Sequence, residues 1–475
     1  METPEQYADQ VLGRAAATAE AFLDFDQKRV DRSVEAVFEA SYAARLDLAR
    51  LAHEETGMGL YEHKVIKNAW ASLLIYEDIK GRRTVGAIAG DAAAGITEIA
   101  VPKGPILATI PVTNPTSTTI FKSLICMKTR NPVIFSPHRG ARRCIRETAK
   151  LCREAAVGAG APEDAIQWIT RPQTEYTERI MRHPRLALIL ATGTGSIVRL
   201  AQSSGTPTLG VGPGNVPIYV HASADMAAAA RSIVHSKTFD NGVVCASEQA
   251  LVVERDVARA LRPLMEARGT YFCTQDETRA LGPVCFDPER RGMRADVVGR
   301  PVAAIAERAG FRVPSGVRLL VAEPDGVGPE HPLSYEILAP VLACYVVGGY
   351  EQALATCRAL NEHGGLGHTV GLYAKDESVI ADFARLNAAR ILVNQPSTEG
   401  AIGGIFNALR PSLTLACGTG AGNANTDNIT VEHLLNVHRV ARFHDNPRWN
   451  GVSRETWLDP ATGPREIRDL YERDR

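Results

Sequence analysis

At 475 residues the chain exceeds what a single hydrophobic core usually organises, so two or three domains are expected. Its hydrophobic share of 45% and charged share of 23% are ordinary for a globular protein and exclude a disordered one. A formal net charge of -1 excludes a polyanion-binding surface, so nucleic acid is not an expected partner.

The opening METPEQYADQVLGRAAATAEAF is acidic and helical, unlike a signal peptide. No stretch of about 18 apolar residues lacks charge or glycine, so no membrane span is expected. The alanine-rich start continues with helical spacing, and Val34, Val37 and Phe38 mark one apolar face. The texture then changes. Ile96–Val101, Pro105–Ile110 and Pro132–His138 are short β-branched runs bounded by glycine and proline, with helix-like segments after the latter two. LALILATGTGSIVRLAQSSG reads as strand, glycine turn and helix, and TPTLGVGPGNVPIYV follows it. This alternation predicts a parallel sheet covered on both faces. Near His235 a second α/β texture begins, with strand-like Gln249–Glu254, RLLVAE, APVLACYVVGGY and RILVN. The last 35 residues are polar and proline-bearing, as expected of a surface tail or packing arm.

Nine cysteines are scattered without a C-x-x-C pair: Cys126, Cys144, Cys152, Cys245, Cys273, Cys285, Cys344, Cys357 and Cys417. That pattern predicts reduced thiols in a cytoplasmic protein, with no disulfide framework and no metal site. Cys245 stands out because it follows the turn signal Asn241-Gly242 and precedes a strand, where a thiol can be presented. A buried structural cysteine is the competing reading. Asn114, in IPVTNPTST, ends a strand at a proline turn; its amide can donate to a developing oxyanion or simply serve the turn. Thr192–Gly195, within ATGTGSIVRL, has the form of a phosphate turn, yet Val198 occupies the third glycine position of G-x-G-x-x-G. GVGPGNVP suits close backbone approach by a ligand.

Taken in order, IPVTNPTSTTIFK, VIFSPH, LGVGPGNVP, SKTFDNGVVCASEQ, YEILAPVLACY, GHTVGLY and ARILVN closely resemble the aldehyde dehydrogenase superfamily, and within it the CoA-acylating branch. The resemblance spans roughly residues 10–443. It implies an α/β fold: a Rossmann-type cofactor domain over 1–234 with an oligomerisation hairpin near 88–103, a catalytic domain over 235–428, and a C-terminal oligomerisation segment with a polar tail over 429–475. It implies a homodimer or homotetramer. Cys245 is then the nucleophile, and Asn114 with the Cys245 N–H holds the oxyanion. Glu336 takes the nicotinamide ribose, while Ser136, Pro137, His138 and Arg139 meet the adenine ribose. Thr192, Gly193, Thr194 and Gly195 face the cofactor phosphates, and Gly212 lies in the adjoining glycine run.

The hydrolytic enzymes resembled carry a glutamate in an E-L-G-G-K run that activates water. Gly210–Gly214 has no carboxylate there, which favours a thiol such as coenzyme A as acyl acceptor. Arginines 139, 142, 143 and 146 follow the ribose strand and tilt the expected cofactor from NAD toward NADP. Arg410, with Ser397 and Thr398, is expected to hold an anionic aldehyde tail, as in succinate semialdehyde or sulfoacetaldehyde. Acetaldehyde or propionaldehyde is the alternative, and a hydrolytic enzyme a further one. His368 resembles a histidine of this branch, in a substrate-side or structural role.

Overall fold

The computed structural model describes residues 2–171, 173–289 and 292–472. It comprises two compact units. The larger, Met1–Arg82 with Pro102–Leu435, holds two parallel sheets and their covering helices. In spatial order the first sheet runs Ile166–Trp168, Val133–Pro137, Ile106–Ile110, Leu188–Thr192, Thr208–Val211, all parallel. Its central strand, ILATI, is buried at every position, as a parallel strand covered on both faces must be. The helix after it, Pro115–Lys128, is also buried throughout and starts with proline at its first position, where the ring's fixed φ suits helix entry.

The strand order reverses between Ile106–Ile110 and Leu188–Thr192, and ligands of doubly wound sheets bind at the carboxyl ends of such strands. Asn114 and the Thr192–Gly195 turn therefore lie at this switch point. The two central strands are tied there: Thr109 Oγ1 donates to the Thr192 carbonyl (3.0 Å) and accepts the Thr192 N–H (2.9 Å).

The second sheet is seven-stranded and parallel, in the order Thr270–Phe272, Leu319–Ala322, Val341–Val347, Glu248–Glu254, Val216–Val220, Gly367–Tyr373, Ala388–Val393. Alternate side chains feed opposite cores: Ile218, Leu251, Val253 and Leu342 pack on one face, and Tyr219, Val252, Ala343 and Tyr345 on the other. This sheet opens at Val216, ahead of the change of texture at His235, because Val216–Val220 pairs with both Glu248–Glu254 and Gly367–Tyr373. Only Gly212–Asn215 separates the last strand of the first sheet from the first strand of the second.

The smaller unit, Arg83–Val101 with Asn436–Arg475, is built on an antiparallel hairpin, Gly86–Asp91 with Ile96–Pro102, joined by Leu435–Ala441. Three short helices follow, Pro447–Asn450, Arg454–Leu458 and Pro464–Glu472, and the rings of Trp449 and Trp457 pack 4.6 Å apart. Residues 473–475 of the expected tail lie outside the described residues. Among the described residues no helix is long and apolar enough to cross a membrane, and no group of His, Cys, Asp and Glu is arranged to hold a metal.

Candidate active site

The site forms where the carboxyl ends of the first sheet face the amino ends of the second. Asn114, Thr192 and Gly212 follow strands of the first, whereas Gly214, Cys245, Glu336 and His368 precede or begin strands of the second. Cys245 is presented by an uncommon backbone. Asp240, Asn241 and Gly242 have φ of 49°, 53° and 73°, three left-handed residues in succession. Each non-glycine member costs about 1–2 kcal/mol, least for Asp and Asn, so other contacts must hold the turn. The Asn241 amide donates to the Gly299 carbonyl (3.0 Å), and the Leu60 N–H donates to Asp240 Oδ1 (2.6 Å). A Cβ on Gly242 would lie 2.7 Å from the Ala339 carbonyl oxygen, so the turn admits only glycine there.

Cys245 is partly exposed, and burial pushes its thiol up to about 12, helped by the Glu336 and Cys417 charges; the Arg390 guanidinium opposes the shift. In this state the sulfur is a thiol. Alkylation of Cys245 by iodoacetamide in the cofactor-free protein should therefore climb about tenfold per pH unit from pH 7 to 10, because the thiolate fraction does so below the pKa. Peptide mapping in which the rate levelled off above about pH 9.5, as for an ordinary thiol of pKa about 8.5, would contradict this setting.

Glu336 is itself raised to about 7 by burial, while the Gly214 N–H on its Oε1 (2.9 Å) and Lys237 partly offset that rise. Its chain neighbour Ile337 is pinned by Gln249 and Lys237: the Ile337 N–H donates to Gln249 Oε1 (2.9 Å) and the Lys237 ammonium to the Ile337 carbonyl (2.9 Å). Gly214 lies against Cys245, since a Cβ there would sit 2.1 Å from the Cys245 carbonyl oxygen. At Gly212 a Cβ would meet nothing within 4 Å, so the glycine that the packing requires is Gly214.

His368 is fully buried behind that turn. Burial and Arg390 lower it to about 3, which keeps the imidazole neutral. Its Nδ1 pairs with Thr369 Oγ1 (3.0 Å). Arg390 donates to the His368 and Ala416 carbonyls (3.0 and 2.9 Å), so it braces the floor beneath Cys245.

Where the cofactor is expected, Ser136 pairs with Thr177 (3.2 Å), and His138 Nδ1 accepts the Gly140 N–H (3.0 Å). Arg139 and Arg143 are exposed just beyond that strand. Gly193 and Thr194 lead into the helix Gly195–Gln202, whose N-terminus provides unpaired N–H groups for a phosphate.

Three expected substrate residues are engaged within the protein. The Arg410 guanidinium grips Asp78 (2.7 and 2.6 Å) and Glu432 (2.8 Å), so the fork expected to bind an anion already has carboxylate partners. Ser397 and Thr398 are fully buried at the start of a short helix. Their N–H groups donate to Glu248 Oε1 and Ser236 Oγ (both 2.9 Å), which makes them packing residues.

Other residues emerge only in three dimensions. Lys64 and Lys67, on the helix Tyr61–Ala69, reach Asp240, and Lys67 also reaches Asn114. Two lysines three apart on a helix share a face, the one signal in sequence that they act together. Lys122, buried and lowered to about 7 by desolvation, donates to the Thr109 and Leu190 carbonyls (2.9 Å each) and clamps the switch point.

Two parallel α/β layers joined by one short turn, with a thiol on the second facing the switch point of the first, place the chain among the Rossmann-type α/β proteins. The aldehyde dehydrogenase family profile matches residues 2–407, and the chain belongs to that family. It is 40% identical over 459 residues to the bifunctional aldehyde-alcohol dehydrogenase of Escherichia coli K12, covering 96% of this chain and 51% of that protein. The chain thus spans about half the length of the first curated relatives it matches. The crystal structure of an acetylating aldehyde dehydrogenase from Geobacillus thermoglucosidasius superposes with a TM-score of 0.90 at 43% identity, covering 93% of this chain and 97% of that one. A Rhodopseudomonas palustris propionaldehyde dehydrogenase with bound propionyl-CoA is similar at a TM-score of 0.80 and 26% identity, covering 92% and 94%.

Proposed function

We propose that this chain oxidises a small, uncharged aldehyde with a nicotinamide cofactor and passes the acyl group to coenzyme A. Cys245 would lose its proton to water and add as the thiolate to the aldehyde carbon; the oxyanion would take hydrogen bonds from the Asn114 amide and the Cys245 N–H; a bound nicotinamide would accept the hydride as the adduct collapses to a thioester; and the coenzyme A thiol, giving its proton to water, would displace the Cys245 thiolate. The observation that carries this reading is the turn Gly210–Gly214. It lies against Cys245 and bears no carboxylate, and the nearby Glu336 is engaged by the Gly214 N–H. A thiol needs less help than water to cleave a thioester. The bound propionyl-CoA of the propionaldehyde relative supports the same acceptor.

Within the family Glu336 would hold the nicotinamide ribose, Ser136–Arg139 the adenine ribose, and Thr192–Gly195 the phosphates. The exposed Arg139 and Arg143 support NADP over NAD. The stacked rings of Trp70, Phe239 and His63 beside the Cys245 loop, with Arg410 spent on its ion pairs, support a short apolar acyl chain. The exposed hairpin strand Gly86–Asp91 supports assembly as a homodimer or homotetramer, and nine free thiols support a cytoplasmic setting.

The test is a panel of acetaldehyde, propionaldehyde, succinate semialdehyde and sulfoacetaldehyde, each with NAD or NADP, with and without coenzyme A. Sustained NADPH or NADH release only with coenzyme A, with acyl-CoA as product, is expected. Equal turnover without it would establish a hydrolytic enzyme. Higher kcat/KM for the two anionic aldehydes would overturn the uncharged substrate.

A further inference from the structure

The Asn114 amide has two ends, and only one can stabilise an oxyanion. Its Nδ2 donates to Thr113 Oγ1 (3.1 Å) and lies 3.4 Å from the Val243 carbonyl, two residues before Cys245. Its Oδ1 accepts a hydrogen bond from the Lys67 ammonium. An ammonium has only donors, so it can pair with the amide oxygen and never with the NH2. A flipped amide would set NH2 against ammonium and turn the oxygen, with its lone pairs, toward the nucleophile loop.

The same ammonium forms an ion pair with Asp240, the first residue of the left-handed turn that presents Cys245. Asp240 is fully buried; although burial opposes it, Lys67 and Lys64 hold its carboxyl below the usual range. Its N–H donates to His63 Nδ1 (2.7 Å), and its Oδ1 accepts from Leu60 N–H (2.6 Å), so one short helix grips the turn at several points. Lys67 is 2% exposed, and burial lowers it to about 8 against the pull of Asp240. Charge balance alone does not require it, since Lys64 lies 3.2 Å from the same carboxylate. The feature peculiar to Lys67 is its simultaneous hold on amide and carboxylate.

We propose that Lys67 is a positioning residue for the reaction. By holding the Asn114 amide oxygen and Asp240 at once, it points the amide NH2 toward the reacting carbonyl and keeps it in register with the turn carrying Cys245. The proposal rests on the reading of Asn114 as an oxyanion donor, and its test separates the two.

A double-mutant cycle on kcat in the full chain, with Lys67→Met and Asn114→Ala, provides that test. Loss of one oxyanion donor lowers kcat about 10²–10³-fold, and Lys67→Met should lower it about 10–100-fold with the cofactor KM unmoved. In the Asn114→Ala background Lys67→Met should then cost less than about threefold, because the amide it orients is gone. A merely structural lysine would instead multiply its own loss onto that of Asn114. The cycle is repeated in the Asp240→Asn background, where Lys67→Met leaves no unpaired carboxylate and the Lys67–Asn114 link is read alone. Full multiplicativity, or a silent Lys67→Met beside a costly Asn114→Ala, overturns the positioning role and leaves the oxyanion reading standing. A silent Asn114→Ala overturns the oxyanion reading, and the positioning role with it.

Discussion

Cys245→Ala should abolish aldehyde oxidation, lowering kcat by about 10⁴-fold or more, while the protein folds and binds nicotinamide cofactor as before. The size of the effect follows from the chemistry: without a sulfur to add to the carbonyl, no tetrahedral adduct forms and hydride has no electron-rich carbon to leave. Alanine fills the site without a clash, and Cys245 donates no side-chain hydrogen bond that folding relies on among the described residues, so stability should change little. Of the other eight thiols seven are buried, and Cys273 directly follows the second sheet's edge strand Thr270–Phe272. Measurement of acyl-CoA formation together with the melting temperature separates loss of chemistry from loss of fold. Retained turnover in a folded variant would return Cys245 to the status of a structural thiol.

Gly214→Ala should lower kcat about 100-fold, for a different reason. Its methyl would lie 2.1 Å from the Cys245 carbonyl oxygen, 3.1 Å from the carbonyl carbon and 3.3 Å from His368 Cε1. The two nearest are backbone atoms, so no side chain can swing aside; the nucleophile loop and the inter-sheet turn must separate. A displacement of about 1 Å at reacting atoms costs about 100-fold in rate, and overpacking of this kind typically removes about 1–3 kcal/mol of stability. Gly212→Ala is the matched control for folding, because its methyl would enter open space. The pair is read by kcat for Gly214→Ala and by thermal melting for both variants. A Gly214→Ala enzyme with the parent's kcat would show that the turn is free to move.

Local signals carried much of this architecture into the sequence. Apolar runs such as ILATI and LILAT are continuous because parallel strands are covered on both faces, and each is followed by a residue or turn that marks a strand's carboxyl end. The Asn241-Gly242 turn before a strand marks Cys245 only as a thiol that can be presented, and it is the family resemblance that singles it out among nine. What stayed hidden depends on partners distant in the chain. Arg410 reads as a free cation until Asp78, 332 residues away, takes its fork. Ser397 and Thr398 read as exposed hydroxyls until the helix they begin buries them. The Lys67–Asp240 pair joins residues 173 apart across a turn whose left-handed geometry no local propensity announces. The glycine run suits close approach by a ligand; what packing adds is that Gly214 also meets the Cys245 backbone, a contact between residues 31 apart.

The protonated state of Cys245 has a bearing on survival under oxidative stress. Peroxide attacks thiolates, and oxidation beyond the sulfenic acid is irreversible for most enzymes. With its thiol pushed up to about 12, the cofactor-free chain stores its nucleophile in the form least open to that attack. Burial is the main cause of this shift, and the Glu336 charge adds to it.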